Sequence, residues 1–301
     1  LQIVGGFCIL NALIPICSSY LRAFGFSKEP LYASIIGNVI NFCLNAFFLF
    51  VLHKGVAGVA TATVISRIIN LVIVVLLGAV LVKAKQHPER ESNRAVMGQI
   101  IRIGLPSACE TAIYNVSMTL VIRFLNQMDA QGLNVTARSY TMQITNFSYC
   151  VGAALAQANA IMTGWHIGAK EYDACDRGTK KAAVIGVIVA VILETVFTLC
   201  SGWIMQLFSK DPQMVSLVGK LLAIDIVLEI GRVTNLVYGQ ALKTSGDAVF
   251  PVVMGACFMI LCSVGGTYLF GIRLGLLAVG AYIGMTGDEC CLLYTSDAAD
   301  E

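Results

Sequence analysis

Asp225, Glu229, Arg232 and Asn235 recur at spacings of four, three and three inside an apolar run long enough to cross a bilayer. On an α-helix those spacings place all four along one stripe. Ionisable groups at membrane depth are costly and usually face a bundle interior or a wet cavity. Such a stripe suits the capture of a cation or the coupling of an ion. The alternative is a self-neutralised cluster that only fixes helix packing. Glu229 and Arg232 are the better matched for a hydrogen-bonded ion pair. Asp225 is then the freer carboxylate, and Asn235 supplies an amide oxygen on the same stripe.

A further carboxylate, Glu110, lies four residues after Pro106, near the start of another apolar run. Proline within a span bends the helix and frees a carbonyl. A carboxylate buried beside it can bind and release a proton, or attract an organic cation; at the membrane edge it would stay solvated instead. Glu194 sits mid-span, with a cavity role and a paired structural role equally open. Arg67 stands alone mid-span and is expected to pack between helices. Tyr114, Met118, Phe147, Tyr149 and Tyr238 are positions that can line a pocket for flat cations or pack in a core. Gly246-Asp247 reads as a tight turn with a helix cap, structural or gate-related.

The elements that hold these residues are membrane helices. Of the 301 residues, 57% are hydrophobic and 13% charged, against about 25% charged in a soluble domain. Mean hydropathy is +0.78. The stretches 31–52, 139–165 and 248–272 are each long enough to cross a bilayer, and none alternates with period two, which argues against a barrel. Spans are predicted near 1–21, 31–52, 56–82, 100–126, 137–164, 182–207, 213–240, 248–271 and 274–289. The first residue already lies in an apolar run, as expected of a chain whose beginning is missing. From Cys290 the sequence turns polar, interrupting the last span, and 290–301 is expected to be a non-native tail.

Eleven cysteines lie mostly in apolar runs, with no Cys-x-x-Cys pair, and the three histidines, His53, His87 and His166, are far apart. No metal-ligand spacing or catalytic constellation is present in the sequence, so neither an enzyme nor a metal site is expected. No basic block with interleaved aromatics suggests nucleic acid. Twelve Lys and Arg residues fall in alternate connections, and only Lys54, Lys210 and Arg273 in the others. That asymmetry puts the first group in the cytoplasm.

The chain also repeats. Leu21-Arg22-Ala-Phe-Gly25 with Pro30 matches Leu242-Lys243-Thr-Ser-Gly246 with Pro251, at an offset of 221. Gly55-Val-Ala-Gly-Val59 matches Gly275-Leu-Leu-Ala-Val279 at 220. Six spans separate the copies, so both point the same way across the membrane, as in parallel-repeat transporters.

Several of these motifs together resemble the multidrug and toxic compound extrusion (MATE) family. They are Gly104-Leu-Pro106-Ser-Ala-Cys-Glu110, Ile167-Gly168-Ala169-Lys170 and Leu207-Phe208-Ser-Lys-Asp211, then Glu229-x-Gly231-Arg232-x-x-Asn235. Leu242-x-x-x-Gly246-Asp247 with Phe250-Pro251, the closing Gly287-Asp288-Glu289 and the first copy, Leu21 to Gly25, complete the set. The likeness covers about 1–289. It implies an all-α integral membrane protein of two six-helix lobes facing a central cavity, truncated to about nine helices. Residues 1–83 would be the second half of the first lobe, 84–99 a cytoplasmic linker and 100–289 the second lobe. The implied activity is a monomeric antiporter in the cell membrane, a bacterial inner membrane being expected. It would exchange lipophilic organic cations for H⁺ or Na⁺, with no cofactor. Glu110, Asp225, Glu229, Arg232 and Asn235 would then bind substrate or ion, with Tyr114, Met118, Glu194 and Tyr238 lining the cavity. The alternatives are a flippase for a lipid-linked saccharide, which would favour a more basic cavity, and a membrane-embedded enzyme.

Overall fold

A computed structural model describes residues 5–82, 93–129 and 132–297 of the chain. Long helices account for most of them: α1 (Ile9–Ala23), α2 (Lys28–Val51), α3 (Gly55–Leu81), α4 (Asn93–Met128), α5 (Leu133–Gly168), α6 (Tyr172–Leu199), α7 (Pro212–Thr244), α8 (Val249–Arg273) and α9 (Leu277–Asp297). A single short turn of helix, Ser201–Met205, comes after α6, and no strand occurs among the described residues. By length and apolarity alone, α2, α3, α6 and α8 can cross a membrane. At 36, 36 and 33 residues, α4, α5 and α7 are longer still. They carry more polar and charged side chains, among them the buried Arg138 and Thr141 of α5 and Asp225 and Glu229 of α7. On α6, Ile185, Ile188, Ile192 and Val196 recur at helical spacing and are all exposed, as a lipid-facing stripe should be.

The helices fall into two compact units, α1–α3 and α4–α9. In the first, α3 packs against both α1 and α2 around Leu21, Ala33, Val74 and Val82. Arg67 does not stand alone there: its guanidinium donates to the Asn11 amide oxygen, tying α3 to α1. Asn41 of α2 donates to Ser66 of α3 at 3.1 Å. The linker expected at 84–99 lies outside the described residues over 84–92, and 93–99 are the opening turns of α4. The last span also differs from expectation. Its polar end does not interrupt it, because α9 continues as helix to Asp297.

The second unit is built around α7, which packs against α5, α6 and α9. Its start is fixed by Asp211, whose carboxylate accepts from the Gln213 amide at 3.0 Å, with Pro212 in the first turn. Further along, Val233 enters a slot made by two glycines. A Cβ on Gly152 of α5 would come within 2.8 Å of it, and one on Gly186 of α6 within 2.7 Å. The largest buried cluster of the unit includes Val121, Leu125, Leu221, Leu222, Leu228 and Tyr282. Asp247 caps α8 by accepting from the amides of Val249 and Phe250, both at 3.2 Å.

The repeat is visible in backbone detail. Gly25 and Gly246 both have positive φ (88° and 100°), at the ends of α1 and α7. In each turn the next amide reaches back to the same place: Phe26 to the Leu21 carbonyl at 3.0 Å, Asp247 to the Leu242 carbonyl at 3.1 Å. A glycine there avoids the Cβ clash of the left-handed conformation. The second pair corrects the sequence match by two residues. Positive φ occurs at His53 and Gly55, and again at Gly275 and Leu277, so the structural offset is 222. The bonds agree: Lys54 to the Phe48 carbonyl at 3.0 Å, Leu276 to the Phe270 carbonyl at 3.1 Å. Gly58 and Gly280 are therefore the equivalent glycines. They pack on Phe48 and Phe270 respectively. Both α2 and α8 end in π-helical turns, Phe47–Val51 and Thr267–Arg273, and α8 has a further one at Met259–Gly265.

Small residues also bring α8 and α9 together. A Cβ on Gly284 would sit 2.8 Å from the Cys262 carbonyl oxygen and 3.0 Å from the Gly266 carbonyl carbon. Such close backbone approach is what Gly-x-x-x-Gly spacing permits between membrane helices, here Gly280 and Gly284. Gly284→Ala should therefore destabilise the full-length protein by about 1–3 kcal/mol, read as a lower thermal unfolding midpoint in detergent. Gly287→Ala, where the nearest neighbour is 4.0 Å away, should leave it unchanged. Equal midpoints for the two would contradict a tight α8–α9 contact.

Candidate functional site

The polar stripe of α7 opens onto a cavity of about 640 Å³ inside the second unit, walled by α4, α5, α7, α8 and α9. Of the stripe, Asp225, Arg232 and Asn235 line this cavity. Glu229 does not. It is fully buried behind them and accepts a hydrogen bond from Arg232 Nη1 at 2.8 Å. The pair is thus mixed in exposure, with the guanidinium at the cavity wall and the carboxylate in the packing.

Arg232 has a second acidic neighbour from α9. Its Nε lies 3.7 Å from Glu289 Oε1. Asn235 Nδ2 in turn donates to Glu289 Oε2 at 2.8 Å and to the Glu289 backbone carbonyl at 2.9 Å. Gly231 makes this possible, since a Cβ there would come within 2.7 Å of Glu289 Cβ. The Glu-x-Gly-Arg-x-x-Asn pattern of α7 is therefore a seat for Glu289. Gly231 packs against it, and Arg232 and Asn235, which follow the glycine, hold its carboxylate. Asn235 acts here as a donor, where the sequence suggests an acceptor.

Beside this seat, Asp288 accepts from Ser263 Oγ of α8 at 2.7 Å and lines the cavity. Its second oxygen is buried without a partner, as is Asp225 Oδ2. At another part of the wall, Glu110 of α4 accepts from Lys243 Nζ of α7 at 2.5 Å. Glu110 is thus not a solitary carboxylate in this structure. It is one half of a partly buried ion pair joining two helices, and α4 runs through Pro106 without a break.

Of the two readings open for them, Tyr114, Met118, Tyr149 and Tyr238 take the first and line the cavity. Two other expected residues do not. Glu194 is fully buried, with neither carboxylate oxygen hydrogen-bonded. It belongs to α6, which covers the face of α7 turned away from the cavity, so it lies behind the stripe. Phe147 is exposed and meets the Phe197 ring of α6 at a tilt, 6.3 Å between centroids. Four charged lining residues are not among the site residues expected from the sequence: Arg138, Lys243, Asp288 and Glu289, the last three of which appear there only within motifs. Lys243 falls in a predicted connection, as a loop charge, and Arg138 at the end of a predicted span. Asp288 and Glu289 carry a visible signal, adjacent acids closing an apolar run.

The Glu229–Arg232 pair should be structurally expensive to break. Removing one partner of a buried pair leaves the other uncompensated, at about 3–5 kcal/mol. Arg232→Ala, which leaves Glu229 buried without a counter-charge, should thus lower the unfolding midpoint of the full-length protein more than Asn235→Ala, which loses one hydrogen bond to the Glu289 carboxylate and one to its backbone carbonyl and leaves the Glu229–Arg232 pair in place. Comparable midpoints would mean that the Glu229–Arg232 pair adds no more to stability than the Asn235 hydrogen bonds.

Comparison with known proteins agrees with the fold. The MatE family model matches residues 106–269. The uncharacterised transporter YisQ of Bacillus subtilis is 32% identical over 295 residues, covering 96% of this chain and 64% of its own length. An outward-facing multidrug resistance MATE family transporter of the MOP superfamily superposes with a TM-score of 0.83 at 18% identity, over 99% of this chain and 67% of that one. The MATE transporter ClbM in complex with Rb⁺ does so with a TM-score of 0.81 at 17% identity, over 95% and 63%. The chain thus spans about two thirds of the length of these relatives. With a family model matched across more than half its residues, and a helical unit shaped like the solved members, the chain belongs to the MATE family of multi-pass membrane transporters, which are not enzymes.

Proposed function

We propose that the protein containing this chain is a secondary active exporter that exchanges lipophilic organic cations for H⁺ or Na⁺. The observation that carries this reading is the cavity of the α4–α9 unit. It holds four carboxylates, Glu110, Asp225, Asp288 and Glu289, among aromatic and methionine side chains. Flat cations are attracted by such surfaces, and the volume suits a drug-sized molecule. The names of the relatives support it: one is a multidrug resistance transporter, and another holds Rb⁺, a monovalent cation.

In this mechanism the organic cation displaces Lys243 from Glu110 and takes up the freed carboxylate. The two lobes then expose the site outward. H⁺ or Na⁺ entering from outside neutralises the carboxylates and releases the cargo. Exchange results because cargo and ion bias the same two-state equilibrium through the same groups. Asp288 and Asp225, each with an oxygen buried and unpartnered, are well placed to receive the coupling ion. The protein acts as a monomer in the plasma membrane, the inner membrane of a bacterium, with the Lys- and Arg-rich connections in the cytoplasm. A flippase would be favoured by an excess of bases. Four acids against Arg138, Arg232 and Lys243 give none.

Energised efflux of ethidium from cells or vesicles containing the full-length protein tests this. Efflux should collapse when the proton or the sodium gradient is dissipated, and which of the two matters identifies the ion. Glu110→Gln should abolish efflux while the protein still inserts and folds. Full transport by that variant would remove Glu110 from the mechanism. A folded, inserted wild type that moves no ethidium would turn the reading toward the flippase.

A further inference from the structure

Two basic side chains of α7 line the cavity, Arg232 and Lys243. Eleven positions separate them, three helical turns or about 16 Å along one face. Each is paired with a carboxylate, but the pairs differ in kind. Glu229, the partner of Arg232, is fully buried, and Glu289 holds the same guanidinium from α9. Lys243 Nζ meets Glu110 of α4 at 2.5 Å, and the Glu110 side chain is 34% exposed, so this pair stands open to the cavity. A pair that water reaches costs far less to break than a buried one. The displaced ammonium also has a second place to rest. Lys243 lies in the last turn of α7, where the negative end of the helix dipole favours a cation. Its flexible four-carbon stem lets the charge swing between that end and Glu110.

The surroundings of Glu110 decide what can take the place of Lys243. Tyr114 lies one turn further along α4, and Tyr238, Phe250 and Met254 also line the cavity. An alkali ion brings charge alone, against a competitor that is tethered and never diluted. A flat organic cation brings charge and a surface that aromatic rings attract. We infer that Lys243 is a built-in competitor for Glu110. It keeps the carboxylate occupied while the cavity is empty, yields it to the arriving cation, and retakes it as the cargo leaves. Lys243 is thereby a specificity-determining residue, because whatever binds at Glu110 must first displace it. The coupling ion is left to act at Asp225 and Asp288, each of which keeps a buried oxygen unpartnered. This rests on the reading of the α4–α9 cavity as an organic-cation site, and adds what sets its affinity and what empties it.

Substitutions at position 243 read out the competition. Equilibrium binding of ethidium is measured by fluorescence on the purified full-length protein in lipid nanodiscs. Lys243→Gln removes the competitor and should tighten ethidium by roughly fivefold or more, between the scale of an exposed ion pair and that of a charged hydrogen bond. Lys243→Arg offers Glu110 a fork that grips a carboxylate by two hydrogen bonds, and should weaken ethidium by roughly threefold or more. The order of affinity is then Gln, Lys, Arg. A pair that only fastens α4 to α7 predicts no gain, so a Gln variant that binds no tighter than wild type overturns the proposal. Repulsion at a distance would tighten the Gln variant but leave Arg equal to Lys, and that outcome overturns it too. In both cases wild type still binds ethidium, and the organic-cation reading stands. Should Lys243→Gln not fold, Lys243→Arg decides alone: weaker binding supports the proposal and equal binding overturns it. A wild type that does not bind ethidium at all overturns both.

Discussion

The second unit depends on one charged side chain having enough partners at membrane depth. Arg232 sits mid-way along α7, where an unpaired guanidinium would cost several kcal/mol. Glu229, one turn earlier on the same helix, answers it from within the packing, and Glu289 answers it from α9. The second answer needs close helix contact. Gly231 supplies it by offering no side chain, and Asn235 holds the incoming carboxylate by two hydrogen bonds. Once α9 is fixed by this seat, its neighbour α8 is fixed by the glycine contacts at Gly266 and Gly284. The cavity is what remains between this frame and α4–α5. Its polar character has the same source, since the groups that hold the helices also present their open edges to it.

Much of this is legible in the sequence, and for physical reasons. Apolar runs of bilayer length without period-two alternation announce membrane helices, because a helix satisfies every backbone group within its own segment. The spacing of Asp225, Glu229, Arg232 and Asn235 announces a shared face because helical geometry is rigid. The pairing of Glu229 with Arg232 is visible because both partners lie on one helix. What the sequence does not reveal are the partners across helices. Lys243 meets Glu110 across 133 positions of chain, and Glu289 meets Asn235 across 54. No local rule links such pairs. Depth is equally hidden. Glu194 and Asp225 look alike in their apolar runs, yet one lies behind α7 and the other on the cavity wall, a difference decided by which neighbour covers which face. Arg138 reads as a span-end charge, because a position six residues into a helix looks peripheral until the helix on its other side is known.

The glycines illustrate the same division. Gly25 and Gly246 can be recognised from sequence because each ends a helix, and positive φ there favours glycine strongly. The later pair cannot be placed so, since Leu277 and His53 adopt positive φ without being glycine. Matching letters therefore put Gly55 against Gly275, while matching conformation puts Gly55 against Leu277 and Gly58 against Gly280. The backbone hydrogen bonds identify which alignment the fold uses.

The structural offset is 221 at Gly25 and Gly246, before α2 and α8, and 222 at His53 and Gly275, after them. One residue has therefore been inserted in the later copy between these turns. An insertion inside an α-helix would rotate everything beyond it by about 100° and turn buried faces outward. A π turn absorbs one extra residue without that rotation. The segment Met259–Gly265 of α8 is π-helical, and α2 has no counterpart at that point. It is the natural home of the added residue. Downstream, Gly280 still meets Phe270 as Gly58 meets Phe48. In any alignment or chimaera of the two halves, the gap then belongs within the transmembrane helix, at 259–265, and not in the connections where gaps are ordinarily placed.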